Sequence, residues 1–170
     1  MTKKKHILLF VAGLCAGLFL AACFLPLEKC VGISERKNED NAFYSKKALD
    51  GFVISYTHSV NKGRVHDYLF AEGYDLRVEK SVFVSYGAGI PEVQDAPDAV
   101  FTITNDGYCI SWNDRRMSSF DMAVGLVANH SLTVGGKEIP MQELFPPQTG
   151  IRFKVRRVPI IKYCLRNIDS

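Results

Sequence analysis

The chain has 170 residues, and once an N-terminal apolar stretch is set aside the remainder is long enough for one compact core but not for two. Lys plus Arg total 21 and Asp plus Glu 18, yet Lys3, Lys4 and Lys5 precede the apolar stretch, so the rest is close to neutral and lacks the basic excess that nucleic-acid binding requires. The five cysteines, Cys15, Cys23, Cys30, Cys109 and Cys164, fit neither a paired zinc spacing nor a dense disulfide scaffold, so neither a metal nor another cofactor is expected.

Lys3-Lys4-Lys5-His6 leads into an apolar run from Ile7 to about Leu27. A basic flank ahead of such a run stays in the cytoplasm while the run enters the bilayer, so residues 1–27 are read as a signal peptide or membrane anchor. Within it, Leu20-Ala21-Ala22-Cys23 resembles the lipobox of bacterial lipoproteins, which makes the Cys23 thiol the candidate acceptor of a lipid. The alternative is an uncleaved anchor, because Phe24, Leu25 and Leu27 extend the run to a membrane-spanning length. Either way the rest of the chain is expected in the cell envelope, tethered to the outer face of the cytoplasmic membrane. Residues 28–50, polar and mixed in charge around Ser34 to Asn41, read as a tether.

The remaining residues, 51–170, read as an all-β domain, an antiparallel sandwich or small open barrel. Phe52, Ile54 and Tyr56 alternate with Ser55 and Thr57, the pattern of a half-buried strand. Asn61-Lys62-Gly63 supplies a turn, Val65 to Phe70 the returning strand, Glu72-Gly73 the next turn, and Leu76 to Val84 a third strand. Phe101 to Trp112 forms two alternating arms around Asp106-Gly107, a pairing that provides positive φ for a tight hairpin. Gly135-Gly136 divides Leu132 to Ile139 in the same way. A helical turn is expected near Met141 to Leu144, and Arg152 to Val158 alternates basic and apolar residues as a last strand with one cationic face.

Candidate functional residues cluster at turns. His58 and Ser59 end the first strand, Lys62 lies in the turn, and His66 and Asp67 open the returning arm; a histidine facing an acid across a hairpin can act as a base or, when protonated, receive an anion. The competing reading gives His58 and Ser59 to local turn bonding. Tyr86, Gly87 and Gly89 follow the third strand, where closely spaced glycine amides form either an anion-binding nest or a sharp corner. Cys109 and Cys164 are either a disulfide or two free thiols. Arg152, Lys154, Arg156, Arg157, Lys162 and Arg166 concentrate positive charge near the C-terminus, for anionic headgroups, for an acidic partner, or simply as a solvated strand face. No nucleophile, base and oxyanion site assemble by pattern, so no enzymatic activity is expected.

Tyr56-Thr57-His58-Ser59-Val60, Lys62, Val65, Asp67 and Tyr86-Gly87-Ala88-Gly89-Ile90-Pro91 together resemble the family called domain of unknown function 1850, and Val124 to Leu132 and Gly150 to Val155 look similar to it too. The resemblance implies an accessory protein found beside TRAP importers of the TAXI type, which take up small organic acids, and partners among the importer's membrane subunit or its binding protein. It implies no catalytic mechanism. Where relatives often carry an acidic residue after His-Ser-Val this chain has Asn61, and His66 with Asp67 stands in place of an acidic pair. The alternative function is a carboxylate-binding module of the envelope that uses His58, Lys62, Gly87 and Gly89.

Overall fold

The computed structural model of the chain describes residues 2–84, 98–105 and 107–169. After an apolar helix α1 (Thr2–Phe24) come strands β1 (Glu28–Glu35) and β2 (Ala42–Ser45), a 3-10 turn (Lys47–Leu49), and strands β3 (Phe52–Thr57), β4 (Arg64–Glu72), β5 (Asp75–Phe83), β6 (Ala99–Thr104), β7 (Gly107–Met117), β8 (Phe120–Ala123), β9 (Ser131–Val134) and β10 (Lys137–Pro140). A helical turn α2 (Met141–Leu144), strand β11 (Gly150–Val158) and a short helix α3 (Ile160–Arg166) complete the order.

The strands form two antiparallel sheets, one of four strands in the order β2-β1-β11-β8 and one of seven in the order β10-β9-β3-β4-β5-β7-β6. The sheets pack face to face as a sandwich, with no closed barrel. Alternate residues supply the shared core: Val31 and Ile33 of β1 with Ile151, Phe153 and Val155 of β11 from one side, Phe52 and Ile54 of β3 with Leu132 and Val134 of β9 from the other. Phe52 and Phe153 stack across the interface with ring centroids 5.6 Å apart, and Phe120 of β8 lies 6.0 Å from Phe153.

The hairpins expected from turn chemistry are present. Gly135 and Gly136 adopt φ 56° and 80° and join β9 to β10, the positive values that a two-residue turn requires. Thr104 pairs with Gly107 at the β6–β7 hairpin; Asp106 itself lies outside the described residues. Gly107 has φ 132°, and a Cβ there would stand 2.2 Å from the Phe83 carbonyl oxygen, so only glycine fits.

Three expectations need correction. Residues 28–50 are not a tether: β1 is an inner strand of the small sheet, paired along its whole length with β11 and also with β2, and Cys30, Val31 and Ile33 have no exposed surface. The sequence pattern misleads because both faces of β1 are covered, one by the core and the other by the α3 segment and the Arg156 side chain, so alternation is lost. Cys30 accordingly has its thiol pushed up to about 11, chiefly by burial. Secondly, Cys109 and Cys164 are not bonded to one another; Cys109 is buried in β7 and Cys164 is exposed on α3. Thirdly, three of the six cations of the row are ion-paired within the chain. Arg152 Nε and Nη2 donate to both Asp121 oxygens at 2.7 and 2.8 Å, Arg156 Nη2 to Glu39 at 2.7 Å, and Lys162 lies 3.4 Å from Asp40.

α1 is apolar, with a mean hydropathy of 2.6 over its best window, and is long enough to cross a membrane. Its residues from Lys3 onward are exposed except Cys23.

Candidate functional site

The β3–β4 hairpin, where the sequence concentrates its candidate residues, closes on itself. His58 donates its backbone N–H to the Gly63 carbonyl (2.8 Å) and accepts from Lys62 N–H on its own carbonyl (3.2 Å). Its imidazole Nδ1 accepts from the Val60 and Asn61 backbone amides at 3.2 and 3.4 Å. Lys62 holds φ 58°, and its ammonium donates to the Ser59 carbonyl at 2.7 Å. The turn reading of His58 and Ser59 therefore describes the geometry, and His58 and Lys62, two of the four groups proposed to receive an anion, already serve the loop.

Asp67 does not face His58. It pairs across the ladder with Ile54 on the core side of the large sheet and accepts from Ser81 Oγ at 2.5 Å. Burial raises its carboxyl above the usual range, opposed by the Ser81 hydrogen bond and by Arg115. Tyr56, on the same face one pair along, is pushed up to about 12 by burial and then by the Asp67 charge. Because strand side chains alternate, His66 points to the opposite face and stands across from Ser55, whose Oγ lies 2.8 Å from His66 Nδ1. Tyr86, Gly87 and Gly89 lie outside the described residues.

What the fold does assemble is a polar row on the outer face of the large sheet. Ser55 sits between His66 on β4 and Ser131 on β9. Ser131 Oγ donates to Glu138 at 2.5 Å, Arg64 Nη2 donates to Ser131 Oγ at 3.1 Å, and Arg64 Nη1 donates to the Asn129 carbonyl at 2.8 Å. His130, next in the chain, accepts from the Gly125 amide on Nδ1 at 3.0 Å and stacks at a tilt on Tyr56. Burial first and the Arg64 charge second lower both His66 and His130, which favours neutral imidazoles. Of this row the sequence indicated only His66. Ser55 and Ser131 meet through strand pairing of β3 with β9, a connection more than seventy residues long with no local signature, while Arg64 and Glu138 are brought in by the β3–β4 and β9–β10 hairpins and His130 by its place before Ser131.

Ser55 is 3% exposed, so its hydroxyl, though bonded to an imidazole, is closed to a substrate. Beside the row, His66, Tyr68, Lys80, Val82, Thr104 and Cys109 line an open cleft of about 410 Å³, in which the Lys80 ammonium lies 4.7 Å from the Tyr68 ring centroid. Among the described residues no group of three or more His, Cys, Asp or Glu is placed to hold a metal.

Comparison with known proteins gives one family: the model of the Domain of unknown function (DUF1850) matches residues 52–141. No curated protein and no solved structure matches the chain.

Proposed function

The chain belongs to the DUF1850 family, and on that premise we propose that it is a non-enzymatic accessory module of the cell envelope, held by α1 at the outer face of the cytoplasmic membrane and serving a TAXI-type TRAP importer of small organic acids. The observation that carries this reading is an apolar, solvent-exposed helix of membrane-crossing length behind three lysines, followed directly by a β sandwich. Lys3, Lys4 and Lys5 hold the N-terminus inside and send the sandwich out. Cys23, at the end of α1, is where a lipid would replace the helix if the segment is cleaved, and the sandwich keeps its place in either case.

The buried Ser55 hydroxyl and the self-bonded His58 hairpin support a role in contact with another protein over one in covalent catalysis. Affinity capture of the full chain from solubilised membranes is expected to recover the importer's membrane subunit or its binding protein, and deletion is expected to reduce organic-acid uptake. Capture of neither component together with normal uptake overturns the proposal.

A second reading, a carboxylate-binding module, is favoured by the cleft that holds Lys80 and His66, whose volume falls in the range of about 300–1,000 Å³ usual for small-ligand sites. It moves the ligand away from the His58 loop. Calorimetry against a panel of organic acids tests it: heat that disappears in Lys80→Ala supports it, and no heat from any acid rejects it.

A further inference from the structure

Chain geometry removes the spacer that would let the domain stand away from a membrane. Only Leu25, Pro26 and Leu27 lie between α1 and β1, and that exit is pinned: Leu25 N–H donates to the Ala22 carbonyl at 3.2 Å, and Arg157 Nη1 donates to the Leu27 carbonyl at 2.9 Å. The end of β11 is thereby fixed beside the exit of α1, since Glu28 pairs with Val158. α3 follows immediately and is in contact with α1.

α3 is built with two sides. Tyr163 packs inward on Cys30, Ala42, Tyr44 and Val158, while Ile161 and Leu165, one turn apart, share another side. Leu165 is 76% exposed, and Ile160, Ile161 and Cys164 are exposed as well. Lys162 and Arg166 flank this apolar stripe. The neighbouring surface continues it: Leu27 is 56% exposed, and Tyr74, 54% exposed at the β4–β5 turn, accepts from Arg157 Nε at 2.8 Å with the Lys29 ammonium 5.3 Å from its ring centroid. Apolar side chains, an aromatic ring with a polar tip and several cations around the exit of a membrane-length helix match the layered chemistry of a bilayer surface with anionic headgroups.

We propose that α3, with Leu27 and Tyr74, forms a seat by which the sandwich rests on the bilayer surface, with Ile161 and Leu165 dipping to the acyl boundary and Arg166 and Lys29 meeting anionic headgroups. This rests on the reading that α1, or a lipid on Cys23, enters the membrane. The seat fixes the orientation of the domain: the opposite end, where β1 ends at Glu35 and β11 begins at Gly150, faces away from the membrane. A partner approaching from the periplasmic side meets that end first.

The cysteines provide the assay. With α1 in the bilayer, Cys15 and Cys23 are covered by lipid and Cys30 is buried in the sandwich, so in a Cys109→Ser background, which removes the thiol lining the open cleft, Cys164 is the thiol that reports on the seat. The full chain is reconstituted in nanodiscs containing phosphatidylglycerol and labelled with a membrane-impermeant maleimide. Cys164 is expected to react about tenfold more slowly in the wild type than in Ile161→Ser/Leu165→Ser, since exposure governs thiol reactivity. Replacing phosphatidylglycerol with phosphatidylcholine is expected to speed labelling of the wild type by about fivefold, towards the rate of the double variant, as headgroup contacts are lost; this arm needs no further variant. Equal labelling across both proteins and both lipids overturns the seat while leaving the anchor intact. Failure of the chain to co-purify with nanodiscs overturns the anchoring reading, and the seat falls with it.

Discussion

The two sheets differ in what they owe to the family. Every strand of the seven-stranded sheet, from β3 to β10 excluding β8, lies within residues 52–141, whereas β8 alone represents that segment in the four-stranded sheet; β1, β2 and β11 lie outside it. Taken alone, the family segment is half a sandwich. Its inner face presents Phe52, Ile54, Leu132 and Val134, which share one core with Val31 and Ile33 of β1 and Ile151, Phe153 and Val155 of β11, and leaving such side chains in water costs about 1.5–3 kcal/mol each. The small sheet also joins directly to α1 and α3. The flanking segments therefore close the core and, on the proposed reading, also set the location, while the large sheet is left to present the polar row and its cleft.

The strongest test of this division is to break the contact between the sheets. Phe153, fully buried on β11 of the small sheet, packs on Phe52 of the large sheet and on Phe120. Phe153→Ala is expected to lose about 3–5 kcal/mol in denaturant unfolding. Ile103→Ala, on the β6 edge and 87% exposed, is expected to stay within about 0.5 kcal/mol. Equal costs would mean that the large sheet is stable without its partner. Between these extremes lies Gly107→Ala, which places a methyl against the Phe83 carbonyl and is expected to cost more than about 1 kcal/mol. Because the clash falls within the large sheet, it leaves α3 untouched and the labelling of Cys164 unchanged.

Titration sharpens the comparison, because the perturbed histidines belong to the large sheet and its loops. His66 and His130 have folded pKa values below the ordinary imidazole value of 6.5, chiefly through burial. Their stabilising contribution is complete above that value and is lost as pH falls through the folded pKa, because the unfolded chain then binds more protons. Stability is expected to fall as pH drops below the ordinary imidazole value of 6.5 towards the lowered folded values, and His66→Gln/His130→Gln to flatten that slope. Asp67 works with the opposite sign. Its raised carboxyl favours the protonated native state, so stability declines as pH rises from the ordinary carboxyl range through the folded value. The stability of Asp67→Asn relative to the wild type is expected to decrease as pH falls, and a difference independent of pH would refute the assignment.

The uneven legibility of the sequence follows the same line. β3, β4, β5, the β6–β7 hairpin, the β9–β10 hairpin and β11 were readable because each has a paired turn or a clean alternation of apolar and polar residues. β1 has neither: Cys30, Val31, Ile33 and Ser34 are all buried, and the charged residues from Glu35 to Asp40 directly after them resemble a linker. α3 is a short helix whose exposed face is apolar, so its pattern does not mark a soluble amphipathic helix. Within the candidate site, His58 and Lys62 were visible as residue types, but their hydrogen bonds depend on the left-handed turn at Lys62. Ser131 meets Ser55 only through register across β3 and β9, which no local spacing encodes, whereas Glu138 reaches Ser131 across the local β9–β10 hairpin.

A small expected effect at the β3–β4 hairpin separates loop structure from ligand recognition. His58→Ala removes the Nδ1 acceptor of the Val60 and Asn61 amides but leaves the backbone bonds between His58 and both Gly63 and Lys62. Val60 is exposed, so its amide turns to water, and the loss is expected to be about 0.5–1 kcal/mol. Because the imidazole serves the loop, uptake of organic acids in a strain carrying His58→Ala is expected to match the wild type. Loss of uptake at unchanged stability and membrane content would instead place His58 in a binding site, and the large sheet would then recognise the solute itself.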